Sequence, residues 1–364
     1  MEILSPSILQ GAWNVALVLT GLSALVLAVI VAVRWQAQIA ARRAADFREQ
    51  AEPLVMAYLA GREKREVVAA ALQRDPDAAL LLLMEISERI SPSGREPLRA
   101  LFSTLPLLTK EISALQSRDW QRRLQAVSRL AFLGDGDSTS ALLDALGDPV
   151  LSVRLAAARA LGQLGEARAV TSIVLAFDLP GEMNQRRVAE ALLTFGAAAV
   201  PSLLEVLEDP QGAYSDNAIN LAARVLGLLR ALEAVQPLAK LLDHAEFRVR
   251  LNAVRSLGLI GEHSSADDVA RLADDSAWEV RNVVMQALGR LHSDRHLDLL
   301  VRALHDSSWW VRFSAAQALW QLGDVGRAAL TSAMTGDTDR YARDMSRQIL
   351  EEHGAITARE VHTL

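Results

Sequence analysis

The distribution of apolar and polar positions divides the chain into three stretches. From Ala12 to Val33 no residue carries a formal charge, and Asn14 is the only strongly polar one. A helix of that length spans about 33 Å, enough for a bilayer core, so a transmembrane helix is predicted here. Trp13 and Trp35 stand at its two ends, where indoles favour the headgroup zone. Residues 36–60 continue a helical pattern of mixed charge up to Gly61, and further helices are predicted at 63–73, 77–90 and 96–116. Asp75-Pro76 and Ser91-Pro92-Ser93-Gly94 separate them. The run from Leu80 to Met84 is too short to span a membrane and precedes Glu85 and Glu88, so it reads as buried core.

The third stretch repeats with a period of 31 residues. Arg123, Arg154, Arg250, Arg281, Arg312 and Arg343 fall on one register, and Gly134, Gly165, Gly261, Gly323 and Gly354 follow eleven positions after five of them. Gln185 and Ile219 occupy the same register without the arginine, which makes eight units with a three-residue insertion before Ile219. Each unit reads as a short apolar helix A, a tight turn carrying Asp, and a helix B ending near Gly; Ala141–Leu146, Pro237–Leu242 and Leu299–Leu304 are examples of helix A. A period of this size denotes stacked copies of one supersecondary unit, each burying its apolar face against its neighbours. The expected fold is therefore all-α: one transmembrane helix, then an α-solenoid of stacked helical pairs. The expected organisation is an anchor at 1–35, a juxtamembrane helical adaptor or cap at 36–105, and a solenoid of about eight repeats at 106–364.

Composition agrees with helices. Apolar residues make up 51% of the chain and aromatics 5%, with Ala and Leu, the strongest helix formers, predominating. The net charge of −6 disfavours a general attraction to nucleic acid or anionic lipid. There are no cysteines, which excludes disulfides and thiolate chemistry. The first eleven residues carry only Glu2, so the basic leader of a cleaved signal peptide is missing, whereas Arg34, Arg42, Arg43 and Arg48 follow the span. The positive-inside rule then places the amino terminus outside and the solenoid in the cytoplasm, as in a single-pass protein of a bacterial-type inner membrane. Within the span Ala16, Thr20, Ala24 and Ala28 recur every four residues with Gly21 beside them, a spacing that lets another membrane helix approach closely.

The core Asp148…Val153-Arg154-Leu155-Ala156-Ala157-Ala158-Arg159-Ala160-Leu161-Gly162-Gln163-Leu164-Gly165, echoed from Val249 to Gly261, resembles the HEAT-repeat superfamily, in particular its short phycobilisome lyase-like variety. The resemblance covers roughly residues 106–356. It implies a ladder between adjacent repeats built from the turn Asp and the helix-B Arg. Asp148, Asp275, Asp306 and Asp337 each precede an Arg by six positions and match that pattern. The arginines Arg123, Arg154, Arg250, Arg281, Arg312 and Arg343 are read as structural for the same reason: a guanidinium drawn into an interface needs carboxylate and carbonyl oxygens to offset its desolvation.

Catalytic signatures are missing. None of the seven histidines is followed by Glu, which removes the His-Glu pairs of the HEAT-like di-iron hydroxylases. His292 and His296 straddle a polar turn and read as solvated, so no metal and no cofactor is expected. No nucleophile elbow or phosphate-cradling glycine loop is present. The chain is read as a non-enzyme.

Tryptophans are more informative. Trp120, Trp278 and Trp309 share the position three before the register Arg, where Leu151 and Phe247 also stand, and are expected to close the turn onto the next repeat. Trp310 occupies a slot filled elsewhere by Ser152, Arg248 and Glu279, and Trp320 replaces the glycine found at 162, 227, 258 and 289. Those two read either as a partner contact or as a cap over the last unit. Five positions past the register, Arg159, Arg224 and Arg255 give way to Gln286, Gln317 and Gln348. On the surface that helix B lines in HEAT-like arrays, this stripe is either a grip for an acidic partner or a solvated face. Glu190 interrupts it and, with the acidic balance, argues against nucleic acid. Residues 179–182 and 209–216 reshape two neighbouring turns.

These features lead to the expectation of a membrane-anchored scaffold, an accessory subunit that binds an integral-membrane protein or its cytosolic domain, such as an envelope polysaccharide synthase or transporter. A lyase-like enzyme or enzyme chaperone acting on a chromophore or modified protein, and a membrane-tethered ligand sensor, stand as alternatives.

Overall fold

The structure is a computed structural model, and it describes residues 6–90, 95–133, 136–178, 182–209 and 212–355. Among these every regular element is helical and no strand occurs. The chain divides into two compact units, one of residues 1–111 with 132–134, the other of residues 112–131 with 135–364.

In the first unit α1 (Pro6–Leu59) is a single long helix. Its segment Leu19–Gln36 is long and apolar enough to cross a membrane, and none of it is buried in the chain. A stretch of this kind near an amino terminus serves as an anchor or as a signal sequence. The carboxy-terminal part of α1 behaves differently, burying Ala51 and Val55 against α2 (Arg65–Leu72) and α3 (Pro76–Arg89). Arg48 reinforces this corner, reaching Glu52 at 2.9 Å and Glu85 at 2.9 Å. Asp75 caps α3 by accepting from the Ala78 amide, with Pro76 at the first helical position where its missing N–H costs nothing. The leucine run from Leu80 is core at Leu80, Leu82 and Leu83 but exposed at Leu81, as a helical turn requires. The helix expected at 96–116 is broken into α4 (Arg95–Phe102) and α5 (Leu108–Ala114). Pro106 lies in the gap; it has no N–H to donate and disfavours helical geometry at the residue before it.

The second unit is a stack of helical pairs. It opens with α6 (Trp120–Leu133), followed by the pairs α7 (Gly136–Ala145) and α8 (Leu151–Leu164), α9 (Ala169–Ala176) and α10 (Glu182–Leu193), and α11 (Val200–Leu207) and α12 (Asp216–Leu229). Next come α13 (Val235–Lys240) and α14 (Phe247–Ile260), α15 (Ala266–Ala270) and α16 (Trp278–Arg290), α17 (Leu297–Ala303) and α18 (Trp309–Gln321), and α19 (Asp324–Gly336) and α20 (Arg340–Glu352). The second helix of each pair packs on the second helix of the next, in the order α8, α10, α12, α14, α16, α18, α20.

Helix α14 shows why. Val249, Ala253, Val254, Leu257 and Ile260 are buried on one side, a 3.6-residue spacing in which each large side chain contributes about 1.5–3 kcal/mol. Gly258 lets α16 come close: a Cβ there would lie 2.8 Å from the Ala287 Cβ and 2.9 Å from its Cα. The helix then stops at Gly261, whose φ of 81° is the left-handed cap that glycine adopts without strain. Arg230 and His292 take up left-handed backbone at the corresponding ends of α12 and α16.

Candidate binding surface

The turns before α8, α16, α18 and α20 are built the same way. Asp148, Asp275, Asp306 and Asp337 each accept the amide two residues on, at 2.8, 2.9, 2.7 and 2.9 Å, which closes the turn. The Arg six positions later does not bond that carboxylate. Its Nη1 donates to the Asp backbone carbonyl instead, at 2.8 Å for Arg154 and Arg281 and 2.7 Å for Arg343. The carboxylate receives the arginine of the preceding repeat, 25 residues upstream. Arg123 grips Asp148 with Nε at 2.6 Å and Nη2 at 2.9 Å. Arg250 grips Asp275 and Arg281 grips Asp306, each at 2.7 and 2.9 Å. Each rung is thus a bidentate fork from one repeat to the next, with the same guanidinium tying down its own turn.

Burial by itself would raise the Asp148, Asp275 and Asp306 carboxyls. The arginine bond, the amide bond and the nearby positive charge outweigh burial and hold all three below the usual carboxylate range.

The ladder is shorter than its residues promise. Among the described residues no carboxylate lies in the fork of Arg312, Arg154 or Arg343. Arg312 donates from Nε to the Asp306 carbonyl and covers the Tyr341 ring at 4.9 Å. The carboxylate it would have met, Asp337, is held by His305, with Nε2 at 2.9 Å from Oδ2. That bond outweighs desolvation and raises the His305 imidazole above its ordinary value, while Asp337, against its own burial, is held low. Between α9 and α12, where the register arginines are missing, Ser215 donates to Asp178 and also caps α12 at the Ala218 amide.

Trp120, Trp278 and Trp309 are 42%, 39% and 48% exposed. They occupy the first position of helix B, and burial begins two residues later, at Val280 and Val311. Trp309 and Trp310 form an edge-to-face pair with centroids 4.8 Å apart, and Trp309 also stacks on Phe313 at 5.1 Å. They remain 48% and 55% exposed, and Tyr341, in the Trp310 slot of the next repeat, is 65% exposed. Trp320, by contrast, is half-buried: its ring stacks on His353 at 4.5 Å and carries the Arg327 guanidinium at 5.4 Å on the ring. Its ring thus packs against the end of α20 at a place where other repeats use glycine.

Of the basic stripe, Arg159 is exposed while Arg224 and Arg255 are half-buried. Arg255 donates to Asn252 at 3.3 Å, and Asn252 to Asn220 at 2.9 Å. A matching seam joins Gln286 to Ser314 and Ser314 to Asn282. These polar links between B helices, 28 to 32 residues apart, have no signature in a single repeat. His296 bonds Ser293 at 2.7 Å and faces Asp267 at 3.3 Å; among the described residues no cluster of three or more metal-ligating side chains forms. In the apolar helix, Thr20, Gly21, Ala24 and Ala28 are exposed, and the Ala16 side chain lies outside what is described.

No curated protein matches the chain. Among solved structures it is similar to the CpcE–CpcF complex of phycocyanin lyase from Nostoc sp. PCC7120, at 20% identity over 67% of this chain and 94% of that one, with a TM-score of 0.32. It is likewise similar to human deoxyhypusine hydroxylase, at 21% identity over 68% and 96% with a TM-score of 0.29. A third is the karyopherin Kap121p bound to the extreme C-terminus of the phosphatase Cdc14p, at 13% identity over 87% and 40% with a TM-score of 0.48. A family model of HEAT repeats matches residues 108–192, 214–289 and 269–351, well over half of the chain. Repeated helical pairs, the Asp–Arg forks between them and that match together identify the chain as a member of the HEAT-repeat family.

Proposed function

We propose that this HEAT-repeat protein is a non-catalytic scaffold, anchored in a membrane by α1, that serves as an accessory subunit of an integral-membrane complex. The observation that carries the reading is the Trp309–Trp310 pair: two large rings left in solvent at the start of α18, with Tyr341 one repeat further on. Exposed aromatic area of this kind is characteristic of protein interfaces, where indoles supply contact area at little entropic cost. The exposed apolar surface of Leu19–Gln36 supports the anchor, and Arg34 near its carboxy-terminal end, with Arg42 and Arg43 beyond it, supports a cytoplasmic array. Tethering raises the effective concentration of the array for anything held in the same membrane. The small-residue face of α1 would seat a helix of the partner. An envelope polysaccharide synthase or transporter fits this reading.

Crosslinking in native membranes, followed by affinity purification, tests it. Wild-type protein should recover one reproducible integral-membrane partner. Trp310→Ala should reduce that recovery while the unfolding free energy stays within about 0.5 kcal/mol of wild type, as for an exposed side chain. Recovery of no membrane protein, or unfolding of α17–α20 by the substitution, would overturn the reading. Changing Thr20, Ala24 and Ala28 to Leu separates the span from the array as the recognition element.

A further inference from the structure

The residue just before the turn aspartate is Gly147, Asp274 or Gly336 ahead of Asp148, Asp275 and Asp337, but His305 ahead of Asp306. Of these four, only His305 can carry a positive charge. Its Nε2 lies 2.9 and 3.0 Å from the two oxygens of Asp337 in the next repeat. Asp337 nevertheless stands where a complete rung has its carboxylate. It follows Arg312 by 25 residues, the separation at which Arg123, Arg250 and Arg281 grip theirs, and the same amide bond closes its turn. Arg312 is turned aside. Its Nε donates to the Asp306 carbonyl, its Nη2 lies 3.5 Å from the Ser307 carbonyl, and the guanidinium covers the Tyr341 ring at 4.9 Å. Asp337 thus has two cationic side chains placed to hold it, and only the imidazole titrates near neutrality.

We propose that the junction of α18 and α20 is a pH-operated switch: His305 holds Asp337 while the imidazole is protonated, and Asp337 passes to Arg312 when it is not, which uncovers the Tyr341 ring. With His305 charged, both cations are satisfied, the imidazolium by the carboxylate and the guanidinium by carbonyls and the ring. With His305 neutral, one uncharged N–H competes with a bidentate charged fork, whose bonds are roughly twice as strong. Arg312 needs only a change of side-chain torsions to take the carboxylate, because its place in the repeat is that of the arginines in complete rungs. The remaining groups around the pair do not compete. Asp306 is held by Arg281, and Arg343 is tied to the Asp337 and Thr338 carbonyls. Asp339 caps α20 at the Tyr341 amide and adds negative charge near His305, and α17 contributes the Arg302 carbonyl. Tyr341 stands in the Trp310 slot one repeat on and is 65% exposed, so its freed face adds to the aromatic surface there. The switch itself is a property of the junction and does not rest on the scaffold reading.

Hydrogen exchange of the full chain in mild detergent tests this, at one pH below the ordinary histidine range and one well above it. Amides of α7–α10 serve as the internal reference for folding. In the wild type, exchange in α18–α20 should quicken with pH only until Arg312 has taken the carboxylate. In Arg312→Gln the rise over the same interval should be about tenfold larger, the factor that one charged hydrogen bond supplies. In His305→Gln the arginine holds Asp337 at both pH values, so adding Arg312→Gln there should cost the same at each. The chain has three tyrosines, and their labelled ring resonances report the other half of the switch. The Tyr341 signal should shift as His305 titrates, and shift much less in Arg312→Gln or His305→Gln. An equal rise in the wild type and Arg312→Gln would overturn the switch, as would a Tyr341 shift that persists in full without Arg312. Neither result touches the Trp310 crosslinking, so the two readings fail separately.

Discussion

Replacing Arg281 with Ala removes one rung, and its cost can be worked from the geometry. The guanidinium gives two bonds to Asp306 at 2.7 and 2.9 Å and one to the Asp275 carbonyl at 2.8 Å. A single charged hydrogen bond contributes about 1.5–3 kcal/mol, a fully exposed ion pair up to about 1, and orphaning one member of a buried pair costs about 3–5. The side chains are 15% and 13% exposed, so the pair belongs nearer the buried case. Asp306 keeps its bond from the Ser308 amide, which softens the loss. The expected destabilisation is about 3 kcal/mol, confined to the junction between α16 and α18, because stability in a stacked array is a sum of local and nearest-neighbour contributions. Hydrogen exchange of the full chain in mild detergent reads this directly. Amides of α16–α18 should exchange about 150-fold faster while those of α7–α10 are unaffected. A double-mutant cycle with Asp306→Ala should return a coupling of about 2 kcal/mol. Unchanged exchange at the junction, or a coupling near zero, would refute the fork as an energetic link.

Two further outcomes are expected. Gly258→Val should lower stability by about 2–3 kcal/mol, since the new Cβ meets Ala287 backbone that cannot swing away; an unchanged thermal midpoint would show that α14 and α16 separate freely. The His305–Asp337 rung should respond to pH. His305 is raised in the folded chain, so its contribution is complete below the ordinary histidine range and is lost as pH rises through the raised value. Asp337 is lowered, so its contribution is complete above the ordinary carboxylate range and is lost as pH falls through the lowered value. Exchange in α18–α20, corrected for its intrinsic pH dependence, should therefore quicken as pH rises from the ordinary histidine range through the raised value, and His305→Gln should flatten that rise. A profile identical in both proteins would refute the switch from arginine to histidine as an energetic rung.

The sequence by itself determined the helices, their pairing into units of one period and the apolar helix at the start. Those properties rest on side-chain spacing within one turn or one unit, which local patterning records. It also named the aspartates and arginines of the ladder. Tertiary structure decided which of them meet. Asp275 lies six residues before Arg281, yet its carboxylate takes Arg250, because closing the turn aims the side chain at the preceding repeat. The same stacking gave Asp337 to His305, left the buried Arg154 Nε without a partner, and exposed Trp309 and Trp310 while setting Trp320 against His353 and Arg327. Such outcomes depend on how two copies of a unit are superposed. That superposition is set by packing between residues some thirty positions apart, as where Gly258 admits Ala287, and no single repeat contains it.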